Sequence, residues 1–324
     1  MVANPEASSQ PRGWGRLRWA TTLLAVAWAG VALLRPQRVP TDAAVLWTAA
    51  RAALHGKDPY QAVAALGLGY PLYYPLPTIL VLAPIAVLPA AVFHSLFAGL
   101  SGFAFGCAAE KYGRGLAMGC LSAGFVEAVV EGQWSPLFTA AAVLPILGAV
   151  WIAKPSVGLA MFVGFPSRQA VVGGALLVLA SLAIWPGWVP AWLAALRQTN
   201  HVPPLLRPGG ILLLLALRKW RRPEGRLLAA LACVPQTTVL YETVPLFLIP
   251  RTQFEGYLLA GLSLLAAFLQ AALVPARSDA RLPEIIAGRW PLLLALVYVP
   301  ALIMVLRSPT EVTTPSVRDA ASSV

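Results

Sequence analysis

"YPLYYPLPTILVLAPIAVLPAAVFHSLFAGLSGFAFGCAA", residues 70–109, contains no Asp, Glu, Lys or Arg. A surface helix of a soluble protein needs a charged or polar face, and this stretch has none. It divides into two segments of membrane-crossing length, 70–89 and 90–109. The first carries Pro75, Pro77, Pro84 and Pro89, so it reads as a proline-broken helix, because proline removes a helical N–H and crowds the preceding turn. Outward from this stretch the pattern repeats. Apolar runs occur at 19–34, at "LAMGCLSAGFVEAVV", at "PLFTAAAVLPILGAVWIA", and at 169–186, 253–275 and 290–306.

Composition agrees. Of 324 residues, 58% are hydrophobic and 11% charged, and the mean hydropathy is +0.72. A soluble domain of this size does not have that balance. Alternating strands of about ten residues, the mark of a membrane β-barrel, are absent. The expectation is therefore an all-α, polytopic helical membrane protein with roughly 10–12 transmembrane or re-entrant helices. The net charge of +11 does not indicate nucleic acid, because the basic residues cluster between apolar runs. Arg12, Arg16 and Arg18 form one cluster, and Arg218, Lys219, Arg221, Arg222 and Arg226 another, the pattern of cytoplasmic loops.

A single transmembrane domain is expected over 16–307, between a disordered cytoplasmic N-terminus (1–15) and a disordered tail (308–324). The connection 35–71 falls outside the cytoplasm by the charge argument. Strict alternation of spans then puts Lys111 and Arg114 outside as well, against the same rule. "GWVPAWLAALRQTNHVPPLLRPGG" reads as an outer loop with an interfacial helix, its tryptophans Trp185, Trp188 and Trp192 at headgroup depth. "SVGLAMFVGF" is too short to cross straight, and broken backbone of this kind is tolerated only against protein or a wet cavity. Cys107, Cys120 and Cys233 lie in apolar segments without metal or disulfide spacing, and the three histidines are scattered. No metal or other cofactor is called for.

Few ionisable residues remain as candidates for chemistry. Asp42 opens the segment 43–54, where it is either a helix cap or, facing a cavity, a general base. If Thr41 caps, both roles are compatible. His55-Gly56 closes the segment, with Gly56 as its left-handed residue. Asp58 precedes Pro59 and reads first as a turn residue. Tyr70, Tyr73 and Tyr74 are an aromatic belt, a sugar-stacking surface or a lipid-groove lining. Gln133 separates two apolar segments. Lys154 either snorkels to an interface or meets a lipid phosphate as a point charge. Glu242, flanked by apolar runs, is a functional candidate by its setting, or else belongs to an outer loop.

"TDAAVLWTAARAALHGKDPY" followed by "YYPLPTILVLAPIAVLPAAVF" resembles the N-terminal signature of glycosyltransferase family 87, polyprenyl-phosphate-mannose-dependent enzymes of the GT-C superfamily. The matching positions are Asp42, Gly56, Asp58, Pro59, Tyr60, Tyr74, Pro75, Pro84 and Pro89. Gly132-Gln133 and Lys154-Pro155 match two further pairs of that family. Pro235, Thr237, Thr238 and Tyr241 match a late motif loosely. The sequence departs from the family at Leu76, where a second proline would follow Tyr74-Pro75. Only one helix length separates Gln133 from Lys154, which places them on opposite membrane sides unless Pro145 and Gly148 fold the segment into a hairpin.

The resemblance implies a GT-C-like fold in the inner (cytoplasmic) membrane. It implies transfer of a hexose, mannose first, from a polyprenyl-phosphate donor to a glycan or glycolipid acceptor on the extracytoplasmic side. Asp42 would be the catalytic base. Lys154 and Arg51 would bind the donor phosphate, and Asp58, Tyr60, Tyr74, Gln133, Tyr241 and Glu242 would line the substrate cavity. The competing readings are a lipid or sugar-lipid transporter, whose broken helices serve alternating access, and a non-catalytic member of the same fold.

Overall fold

The computed structural model describes residues 14–34, 41–68, 70–198, 201–274 and 282–309, without the side chains of 282–287. The expected tails therefore lie almost entirely outside the described residues. Among those described, the structure is helical throughout, with a single isolated β-bridge between Val202 and Gln236. In chain order the α-helices are α1 (Leu17–Leu34), α2 (Asp42–Leu54), α3 (Pro59–Ala64), α4 (Leu76–Leu82) and α5 (Ala90–Tyr112). Next come α6 (Arg114–Ala117), α7 (Ala123–Glu131), α8 (Ser135–Val143), α9 (Pro155–Gly164) and α10 (Arg168–Ile184). The last five are α11 (Trp188–Leu196), α12 (Pro223–Cys233), α13 (Gln253–Leu273), α14 (Leu282–Leu293) and α15 (Val299–Arg307).

Among the described residues four helices are long and apolar enough to cross a membrane: α1, α5, α13 and the continuous run Gly288–Arg307. Helices α10 and α11 supply a fifth if a pair bent by 110° counts as one span. The remaining apolar chain does not form spans of full length. It is divided into short helices and long 3-10 stretches, Pro145–Ala153, Gly210–Lys219 and Leu240–Leu248. Proline accounts for two of the three. Pro145 opens one stretch and Pro245 sits inside another, where each interrupts the α-helical hydrogen-bond ladder.

Helices α1 and α5 pack antiparallel through small residues. Gly99 lies against Val26, Gly102 against Thr21 and Ala25, and Gly106 against Arg18. A Cβ at Gly102 or Gly106 would strike the α1 backbone, so these glycines set how closely the helices approach. The Thr21 hydroxyl donates to the Gly102 carbonyl at 2.8 Å, and Arg18 pairs with Glu110.

This pairing corrects the strict-alternation reading. The proline-broken segment over Leu76–Ile85 is only a short apolar helix, too short to count as a crossing, so α5 returns the chain to the end where α1 began. Lys111 and Arg114 thus lie at the Arg18 end, in keeping with the charge rule. Tyr112 Oη donates to the Leu248 carbonyl at 2.9 Å, and Gly115 abuts Pro250, which brings Arg251 to the same end. Arg251 pairs with Glu224 at 3.9 Å, linking in the start of α12.

The tryptophans after α10 also differ from expectation. Trp188 is buried, and Trp192 donates its indole N–H to the Tyr73 carbonyl at 2.9 Å. They hold α11 onto the protein.

Candidate functional site: a carboxylate–amide–lysine–carboxylate chain

Thr41 is the cap of α2: its side chain accepts from the Ala44 N–H at 3.3 Å. Asp42 is the first helical residue, so its carboxylate is not used for capping. Oδ2 accepts from the Gln133 side-chain amide and from Tyr74 Oη at 3.4 Å. Oδ1 accepts no hydrogen bond among the described residues.

Gln133 reaches this carboxylate because of the residue before it. Gly132 ends α7 with φ 73°, a left-handed conformation suited to glycine. A Cβ there would overlap Ala43 at the start of α2. The absence of a side chain lets the two helix ends touch and sets Gln133 against Asp42.

Lys154 comes to the same place from the other direction. Helix α8 stops at Val143, and the 3-10 stretch 145–153 runs back along it, tied by the Trp151 indole N–H to the Phe138 carbonyl at 3.1 Å. Gly148 packs against Ala170 of α10, where a Cβ would clash. The hairpin through Pro145 and Gly148 is therefore formed, and Gln133 and Lys154 lie together. Lys154 Nζ donates to Gln133 Oε1 at 3.0 Å. Pro155 begins α9 and holds Lys154 in an extended conformation, at φ −131° and ψ 87°.

The far side of the lysine is occupied by Glu242 and Tyr241. Lys154 Nζ lies 3.6 Å from Glu242 Oε1 and 4.9 Å from the centroid of the Tyr241 ring. The Glu242 side chain is 3% exposed and that of Lys154 24%. Glu242 Oε2 accepts from the Thr238 N–H at 2.8 Å, and Thr238 has φ 52°, left-handed for a β-branched residue. Tyr241 is fixed from behind, its N–H donating to Glu127 Oε2 at 2.9 Å and its hydroxyl meeting Thr237 at 3.2 Å.

Asp42, Gln133, Lys154 and Glu242 thus form one hydrogen-bonded and ionic chain. The Gln133 amide is the link, its NH2 toward the acid and its oxygen toward the ammonium. Loss of hydration raises the Asp42 carboxyl above its ordinary 3.8. The Lys154 charge and the hydrogen bonds from Gln133 and Tyr74 oppose that rise, while the Glu242 charge adds to it.

Three of the expected site residues have other roles. Asp58 caps α3, accepting from the Tyr60 N–H at 2.8 Å and the Gln61 N–H at 3.3 Å. Tyr60 supports the site from outside, donating its hydroxyl to the Tyr74 carbonyl at 3.3 Å. Arg51 is nine residues beyond Asp42, about 13 Å along the helix axis, and lies over the Trp47 ring at 5.1 Å. It is exposed and takes no part in the Lys154 cluster.

Two residues were missed. His201 meets the Tyr73 ring edge-on at 5.6 Å and interacts electrostatically with Glu242 and Lys154. Arg207 interacts with Glu242 and with His201. Burial pushes the His201 imidazole below its ordinary 6.5. Both residues lie in the connection between α11 and α12, where no motif marks them.

Fold and composition define an all-α membrane protein with a polar, charged site built where its helices break. Compared with known proteins, the chain matches no family model, no curated protein and no solved structure.

Proposed function

We propose that the protein is a membrane glycosyltransferase. It moves a hexose, mannose being the first to test, from a polyprenyl-phosphate donor to a glycan or glycolipid acceptor. The observation supporting this is the convergence of Asp42, Gln133, Lys154 and Glu242 on one place. A transporter would instead distribute such charges along a path across the membrane.

In the proposed reaction Asp42 Oδ1 takes the proton of the acceptor hydroxyl. The acceptor oxygen bonds to the anomeric carbon, and the carbon–oxygen bond to the lipid phosphate breaks on the opposite face. The phosphate leaves as an anion with the bonding electron pair. Lys154, released from Glu242, supplies charge to that anion, and Gln133 and Tyr74 hold the base in place. Arg207 is the next cation within electrostatic reach of Glu242, and the His201 imidazole lies within reach of both.

The test is incubation of the purified protein with a panel of polyprenyl-phosphate sugars, reading release of polyprenyl phosphate. Asp42→Asn should fold and should lose on the order of a hundredfold or more in rate. Thr41→Ala, which removes the actual cap, should cost about 1 kcal/mol of stability and little of the rate. Turnover of Asp42→Asn at the wild-type rate would remove Asp42 as the base. Donor binding without release in the wild type would favour the non-catalytic reading.

A further inference from the structure

Helix α2 carries a second polar feature at the end away from Asp42. Trp47, Thr48, Arg51, Ala52, His55 and Lys57, with Ala62 of α3, line a surface groove of about 330 Å³. Trp47 is fixed by its indole N–H, which donates to the Leu88 carbonyl at 2.9 Å. Leu88 lies two residues before α5, a helix of membrane-crossing length. The groove therefore sits level with the end of a crossing helix, at headgroup depth.

Its charge has one sign. Arg51, His55 and Lys57 are exposed. Neither Arg51 nor Lys57 has a carboxylate partner among the described residues. The nearest carboxylate in sequence, Asp58, is taken up by the amides of α3. His55 Nδ1–H donates to the Arg51 carbonyl at 2.7 Å, which leaves Nε2 of the neutral ring as an acceptor for a headgroup hydroxyl. Ala52 and Ala62 give the groove an apolar wall.

We infer that this groove binds the phosphodiester headgroup of an anionic membrane lipid of the phosphatidylglycerol type. Arg51 and Lys57 meet the phosphate, and the Trp47 ring and the alanines lie along the glycerol and upper acyl region. The site is separate from the Asp42–Glu242 chain and does not depend on the glycosyltransferase reading. It gives Arg51 a phosphate partner, in a position from which it does not reach the reacting centre. A bound lipid would also tether the helix that begins with Asp42.

The experiment uses the full chain in nanodiscs with a trace of phosphatidylglycerol bearing a photoreactive diazirine headgroup, and maps crosslinked peptides by mass spectrometry. Crosslinks within 47–62 are expected, competed by unlabelled phosphatidylglycerol but not by phosphatidylcholine or inorganic phosphate. Arg51→Gln with Lys57→Gln should weaken this competition about thirtyfold, taking about fivefold per lost cation. Crosslinks at the Arg218–Arg226 cluster should persist, as a control for folding and for general charge attraction. Arg51→Lys should retain the 47–62 crosslink. Equal competition by phosphatidylcholine, displacement by inorganic phosphate, or an unchanged double variant would each overturn the site.

Discussion

At the level of single residues, Asp42 Oδ1, which accepts no hydrogen bond among the described residues, and the paired state of Lys154 set the expected behaviour. Burial holds the Asp42 carboxyl above its ordinary 3.8. A base must be ionised, so the rate should rise with pH through an apparent pKa above that value, and Asp42→Asn should abolish this limb. The sign for stability is the reverse. A carboxyl that ionises less readily in the folded protein favours folding while protonated. That contribution is complete below the unfolded pKa and is lost as pH rises through the folded one. At neutral pH the always-neutral Asp42→Asn should therefore unfold at a higher temperature than wild type, measured in the same detergent. Lys154 gives a complementary prediction. Removing it leaves Glu242 buried without its cation, at a cost of about 3–5 kcal/mol. Lys154→Gln combined with Glu242→Gln should recover most of that stability. If Lys154 also meets the donor phosphate, the double variant should fold well and still bind donor weakly; restored donor affinity would limit Lys154 to pairing with Glu242.

At the scale of elements, the site depends on where helices stop. Gly132 is the sharpest case. Alanine there would need a left-handed backbone and would collide with Ala43, so Gly132→Ala should cost about 2–4 kcal/mol and separate Gln133 from Asp42. Gly174, in the interior of α10 with nothing within 4 Å of a built Cβ, is the control. Gly174→Ala should be neutral or stabilising by up to about 1 kcal/mol in thermal unfolding. These breaks also explain how much could be read from the sequence. Thr41-Asp42, Gly132-Gln133 and Lys154-Pro155 are local signals, and cap and proline chemistry made their helix ends legible. The return of 145–153 along α8 was visible only as an option, because Pro145 marks a break but does not fix its direction. Glu127 supporting Tyr241 spans 114 residues and leaves no local trace. Arg51 matched a chemical need, yet helical rise carried it away from Asp42, which residue type alone does not show.

At the scale of the whole molecule, charge and site occupy different ends. Arg18, Lys111, Arg114 and the Arg251–Glu224 pair gather where α1 begins and α5 finishes. Helix α1 leads away from them for 18 residues, about 27 Å, and Asp42 follows eight residues after its end. Strict alternation counted the proline-broken piece over Leu76–Ile85 as a crossing, whereas it is one of the short helices. The antiparallel α1–α5 pair removes that crossing and restores the charge asymmetry. The positive-inside rule then predicts that the basic end faces the cytoplasm and the Asp42 end faces away from it. Single cysteines at Lys57 and Arg222, in a background with Cys107, Cys120 and Cys233 replaced by alanine, test this with a membrane-impermeant maleimide. In intact spheroplasts Lys57→Cys should label and Arg222→Cys should not; in inverted vesicles the order should reverse. Labelling of both from one side would put the site and the basic cluster on the same surface. A donor and an acceptor meeting at Asp42 would then have to come from the cytoplasmic leaflet, and the extracytoplasmic reaction that the family resemblance implies would fall with the topology.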